Sequence, residues 1–216
     1  MSTRLFGRWR RMLESVREEQ LQDLLINRHI FAQLCEVVAP YVGTCTGGEV
    51  EKFVQQGYLA FATTAVRRMV EEPRSTYQSV SFVILLRDLQ RHSSLLTLDR
   101  FRAPYEEFCG DDRVVRIFHS IARSKATVIS ANRSDRDIRT LKRATAPVLR
   151  MVNKVIAHTE HDRRRLGKMR YPQLDHAIDR LLETYMRYNL LLNQADGEPV
   201  PLEAIDVRPD WRKIWP

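Results

Sequence analysis

The stretch "IRTLKRATAPVLRMVNKV", residues 138–155, decides the fold. Its apolar or small side chains recur at steps of 3, 4, 3, 4 and 3 residues, which places them on one face of a helix. Pro147 lies inside the stretch and predicts either a kink or a break between two shorter helices. A helix with one apolar face is stabilised mainly by packing against other elements, so the chain must supply partners. The face consists of Ile138, Leu141, Thr145, Val148, Val152 and Val155.

Six further segments have helical spacing of apolar residues: 9–38, 49–71, 80–92, 97–109, 114–129 and 172–192. Thr46 with Glu49, and Ser134 with Asp137, have the spacing of capping boxes that open helices. The apolar run at 80–86 could also be a buried strand. Helical spacing continues to residue 92 and no partner strand follows nearby, so we predict a central buried helix.

These segments predict an all-α helical bundle with four to six main helices and a single domain over residues 1–195. Residues 196–216 are Pro-rich, and we predict that they form an extended tail. Exposing Trp211 and Trp215 to water would be costly, so we expect this tail to dock on the bundle.

Composition narrows the class of protein. Of the 216 residues, 44% are hydrophobic and 29% are charged, as in ordinary globular proteins. No run of about 18 apolar residues occurs, so we expect no membrane span. The three cysteines form no CxxC pair, which is typical of reduced thiols in a cytoplasmic protein. There is no Gly-rich phosphate loop, and we predict neither a metal nor a small-molecule cofactor.

The net charge of +8 is concentrated in one region. Residues 133–180 contain thirteen Lys/Arg against six Asp/Glu, which accounts for +7 of that charge. A localised basic face suits a polyanion such as RNA. Alternatively, the basic residues pair locally with neighbouring acids on a solvated helix surface. The run at 162–170 is either a phosphate-binding loop or a solvated turn. The candidate nucleic-acid-binding residues are Arg136, Arg139, Arg143, Arg163, Arg164 and Arg165.

Arg150, Lys154 and His158 follow each other at four-residue steps, which aligns them on a helix. His158 is either a working acid or base near neutral pH or a structural residue that gains from the helix dipole. With His161 it could also be proposed as a metal site, but the sequence places no further ligand there.

Three stretches together resemble a known family. They are "VNKVIAH" at 152–158, "FATTAVRRMVEEPRSTYQSVSFVILLRDLQRH" at 61–92 and the closing "PDWRKIWP" at 209–216. They are similar to the AbiU-like, abortive-infection branch of the HEPN superfamily. The resemblance covers most of residues 50–216, and it is loose outside these three motifs.

The resemblance implies a HEPN-like bundle that forms a homodimer. In active members, Arg and His from both protomers meet and cleave RNA without metal. When the family motif is carried over to this sequence, His158 corresponds to its catalytic acid or base and Asn153 to its polar residue. The position that usually holds Arg in the family holds Val152 here. Arg150 and Lys154 are then the available cations. The expected function is RNA contact, with metal-independent ribonuclease activity of a defence or toxin type. The alternative is a non-catalytic helical interaction or regulatory protein.

Overall fold

The computed structural model describes residues 2–41, 43, 45–72, 81–103, 111–152, 171–193, 202, 205–206 and 208. The protein is an all-α helical bundle, which confirms the predicted fold class. The described residues contain no strand, only an isolated bridge between Thr97 and Val128. The α-helices are α1 (Ser2–Val16), α2 (Gln22–Val38), α3 (Cys45–Val70), α4 (Phe82–Arg91), α5 (Leu98–Arg102), α6 (Asp111–Ile121), α7 (Ala131–Met151) and α8 (Tyr171–Asn193).

Three shorter turns connect some of these helices. A π-helical turn at Arg17–Leu21 separates α1 from α2, and 3₁₀ turns occupy Ala39–Tyr41 and Ser93–Leu95. None of the described helices combines the length and the apolar character needed to cross a bilayer.

The chain divides into two compact units. The first comprises Met1–Val16, Met69–Ala144 and Asp179–Gly197, and the second comprises Arg17–Arg68, Thr145–Ile178 and Glu198–Pro216. The single domain over residues 1–195 stays a prediction.

In the first unit, α4 is the buried central helix that the sequence predicts. The Ser81 hydroxyl accepts a hydrogen bond from the Ile84 N–H at 3.3 Å and caps the helix. Asp88 is also buried, and it accepts hydrogen bonds from Arg8 at 2.6 Å and from Trp9 Nε1 at 2.7 Å. The carboxylate thereby anchors α1 on α4. The apolar side chains buried by α4 are Phe82, Val83, Leu85, Leu86 and Leu89.

Helix α7 begins at Ala131, so the predicted capping box of Ser134 and Asp137 is wrong. The cap is Ser130, whose hydroxyl accepts from the Asn132 N–H at 3.2 Å. Ser134 and Asp137 are buried one turn further on, and both bond the Tyr188 hydroxyl at 3.1 Å. Their polar side chains fix α7 on α8 instead of opening a helix.

The core face of α7 is confirmed. Within α7 and at the residue that follows it, Ile138, Leu141, Thr145, Val148 and Val152 are each at most 3% exposed. The helix runs through Pro147 without a break, so of the two expectations for that proline the break is wrong. Val155 lies outside the described residues.

In the second unit, aromatic rings join three helices. Phe31 of α2 stacks on Tyr58 of α3 at 4.1 Å and on Tyr171 of α8 at 5.5 Å between centroids. Burial raises the pKa of the Tyr58 hydroxyl. The same unit includes part of the C-terminal tail, where the Ile205 carbonyl is 2.8 Å from His29 Nε2 and from Gln33 Nε2. Trp211 and Trp215 lie outside the described residues.

Three further predicted helices have wrong boundaries. The first helix begins at Ser2 rather than at residue 9, and the second begins at Cys45, so Thr46 and Glu49 lie inside it instead of opening it. The helix expected over 114–129 starts at Asp111 and ends at Ile121. Lys125 then adopts a φ of 62°, and the chain returns to pair with Leu96 and Leu98 through backbone hydrogen bonds. These tertiary hydrogen bonds replace the helical ones.

Candidate nucleic-acid interface

The outward face of α7 in the first unit carries three of the predicted arginines. Arg136, Arg139 and Arg143 are exposed. At 100° per residue they fall within about 60° of arc around the helix axis. The core residues Ile138 and Leu141 lie on the opposite side, so packing of α7 turns this arginine face outward.

Some of the positive charge near this face is neutralised. Arg139 pairs with Asp135 at 2.9 Å, and Lys142 donates to Glu72 at 2.8 Å. The hydrogen bond from Lys142 holds the pKa of Glu72 below its usual range, and Arg87 contributes in the same direction. The expectation of local pairing with neighbouring acids is correct for Arg139, whereas Lys142 pairs with an acid 70 positions away in the sequence.

Arg136 and Arg143 differ from these paired residues. Neither makes an ion pair or a hydrogen bond with any residue that the structure describes. Two exposed guanidinium groups on one side of a helix therefore have N–H donors available to an external anion. Guanidinium groups bind phosphate through paired N–H donors more specifically than ammonium groups do.

A small groove continues this face at the start of α7. Its volume is about 110 Å³, and Arg123, Arg133 and Arg136 line it together with Ser130. Arg133 is held 3.5 Å from Asp137, while its buried Nε makes no hydrogen bond with the described residues. The positive end of the α7 dipole adds to the charge of the three guanidinium groups. The groove therefore suits an anion in contact with Arg136.

Arg123 and Arg133 are absent from the site that the sequence predicts. Arg133 contributes to the basic surplus, and its spacing of three residues from Arg136 predicts that the two lie on the same side of a helix. Arg123 lies in the turn after α6, and only the return of residues 122–130 toward α7 brings it to the groove. Sequence spacing carries no signal for that arrangement.

The predicted catalytic set is described only in part. Arg150 is exposed in the last turn of α7 and belongs to the second unit. Val152 is only 3% exposed and lies in the core. It occupies the position that holds Arg in the family that the sequence resembles. The remaining predicted site residues, Asn153, Lys154, His158, Arg163, Arg164 and Arg165, lie outside the described residues.

The described residues contain no group of three or more His, Cys, Asp or Glu side chains placed to hold a metal ion. His161, the other half of the alternative metal site, lies outside them.

Comparisons with family models, with curated proteins and with solved structures found no match to this chain. The HEPN-like assignment therefore stays a prediction.

Proposed function

We propose that this protein contacts RNA through the arginine face of α7, which consists of Arg136, Arg139 and Arg143. The observation that carries the proposal is that Arg136 and Arg143 are exposed and make no ion pair with the described residues. Seven residues of helix separate them by about 10 Å, so each can contact a different phosphate. The groove beside Arg136 offers further guanidinium donors from Arg123 and Arg133.

Binding to a fluorescently labelled single-stranded RNA tests this proposal. The double variant Arg136→Gln with Arg143→Gln should bind at least tenfold more weakly than the unchanged protein, because two phosphate contacts are lost. The matched control replaces Arg113 and Arg116, two exposed arginines of α6. It removes the same charge from another helix and should retain nearly full affinity. Equal weakening by both variants would contradict a role for α7.

The second candidate function is metal-independent cleavage of RNA by a HEPN-like motif. The observation that favours it is the position of Arg150, exposed at the end of α7 and without an ion pair to the described residues. In this proposal His158 is the general acid or base, and Asn153 orients it. Arg150 and Lys154 stabilise the negative charge that develops on the phosphoryl oxygens.

The alternative is a protein that binds without cleaving. The burial of Val152 supports it, because no cation can be supplied from the position that the family uses for its Arg.

Incubation with total RNA in the presence of a chelator separates the two candidates. A ribonuclease of the proposed kind degrades RNA, and its His158→Ala variant does not. Absence of cleavage by the unchanged protein, with RNA binding retained, would favour the non-catalytic protein. Equal cleavage by both proteins would exclude His158 as the catalytic group.

The proposed homodimer and cytoplasmic location rest on the resemblance and on the cysteine content. Sedimentation equilibrium of the purified protein tests the first. A mass near 25.3 kDa at all concentrations would contradict a dimer.

A further inference from the structure

A cavity in the first unit belongs to neither the arginine face nor the predicted catalytic set. Its volume is about 390 Å³, within the range of small-molecule sites. Its apolar lining comes from Phe6, Leu96, Phe101, Leu191 and Leu192. Four of these side chains are at most 6% exposed and Phe6 is half-buried, so core residues form the apolar wall of a cavity that opens to solvent.

Two cations line the same cavity. Arg10 is exposed, and its Nε donates to the Leu192 carbonyl at 2.8 Å, which holds the guanidinium beside the end of α8. Arg100 is held by a different contact, with its guanidinium carbon 4.1 Å from the centroid of the Phe6 ring. A guanidinium has five N–H donors, and one hydrogen bond to a carbonyl occupies only one of them.

We infer that this cavity binds an amphipathic monoanion of about a dozen heavy atoms in all, a carboxylate joined to an apolar chain. The size follows from the volume, with about 30 Å³ for each group of the size of a water molecule. The apolar body occupies the space between Phe101 and Leu192, and the carboxylate accepts hydrogen bonds from Arg10 and Arg100. An uncharged molecule of the same shape would make no charge-assisted hydrogen bond with either guanidinium group.

Gly7 offers a way to close the cavity without harming the helix. It lines the cavity, and a Cβ built there would meet only the end of the flexible Arg11 side chain, at 3.5 Å. A longer side chain at this position fills space that the ligand needs. Because Gly is a poor helix former, Gly7→Met should leave α1 at least as stable. Gly57→Met is the matched control, since Gly57 is also inside a helix, lies in the second unit and has open space around it.

Isothermal titration calorimetry of the full chain with octanoate tests the inference, with octan-1-ol and acetate as comparison ligands. Octanoate should bind, octan-1-ol should bind at least tenfold more weakly, and acetate should not bind. Arg10→Gln and Arg100→Gln should each weaken octanoate binding about tenfold and leave octan-1-ol binding unchanged, because only a charge-assisted hydrogen bond is lost. Gly7→Met should abolish octanoate binding, and Gly57→Met should not change it.

Any of three results would overturn the inference: no octanoate binding at millimolar concentration, equal affinity for octanoate and octan-1-ol, or unchanged octanoate binding by Gly7→Met. The thermal unfolding temperature of each variant is measured without ligand. An unchanged temperature shows that a loss of affinity does not come from a loss of folded protein. None of these measurements depends on RNA binding, so this inference and the proposed function are tested separately.

Discussion

At the scale of single residues, two aspartates in the first half of α7 have opposite roles. Asp135 forms an ion pair with Arg139 at the surface. Asp137 is 7% exposed and bonds the Tyr188 hydroxyl at 3.1 Å and Arg187 at 3.0 Å. Exposed ion pairs contribute little to stability, whereas removal of one partner from a buried network leaves the others unsatisfied.

We therefore expect Asp137→Ala to lower the free energy of unfolding by about 3–5 kcal/mol. The control Asp135→Ala, two residues away, should change it by less than about 1 kcal/mol. Urea unfolding followed by circular dichroism measures both values. Similar losses for the two variants would contradict the anchoring role of Asp137.

Tyr188 is expected to make the stability of the folded protein depend on pH in the alkaline range. Burial raises the pKa of its hydroxyl in the folded protein, and the neighbouring Asp137 carboxylate raises it further. An unfolded tyrosine loses its proton near pH 10. The folded state therefore binds this proton more tightly, and its contribution to stability is complete below pH 10 and declines above it.

Tyr188→Phe should be less stable than the unchanged protein by about 1–3 kcal/mol at pH 8, because the hydrogen bonds to Ser134 and Asp137 are lost. The difference should shrink as the pH rises from 10 to 11. Urea unfolding across this pH range measures it, and a constant difference would show that Tyr188 titrates normally in the folded state.

At the scale of helices, spacing predicted which segments are helical, but it misplaced several of their ends. The helix predicted over 172–192 spans Tyr171–Asn193, because its apolar period continues to both ends. The start of α7 was misplaced because Ser134 and Asp137 have the spacing of a capping box, yet tertiary contact with Tyr188 uses both side chains. A cap and a buried anchor use the same residue types, so sequence spacing cannot separate them.

Pro147 gives a test at this scale. It lies inside α7, where it removes a hydrogen bond to the carbonyl of the preceding turn. Because the helix continues through it, Pro147→Ala should raise the free energy of unfolding by about 1–3 kcal/mol. Urea unfolding measures the change. A loss of stability would show that the surrounding packing requires the proline ring.

At the scale of the whole molecule, the described part of the basic region 133–180 includes three exposed arginines on one face of α7. These arginines belong to the surplus that the sequence predicts, and they are exposed because an arginine without a buried partner must face solvent. The pairing of Lys142 with Glu72 joins residues 70 positions apart. The contribution of Arg123 to the groove depends equally on tertiary structure, so neither could be predicted from helical spacing.

The salt dependence of RNA affinity tests the central claim most directly. For single strands, log K falls with log salt concentration by about 0.7 for each phosphate contacted. Arg136→Gln with Arg143→Gln should therefore reduce the magnitude of this slope by about 1.4 relative to the unchanged protein. The Arg113→Gln, Arg116→Gln control has the same net charge and should retain the original slope. Equal slopes for the two double variants would contradict the assignment of RNA contact to α7.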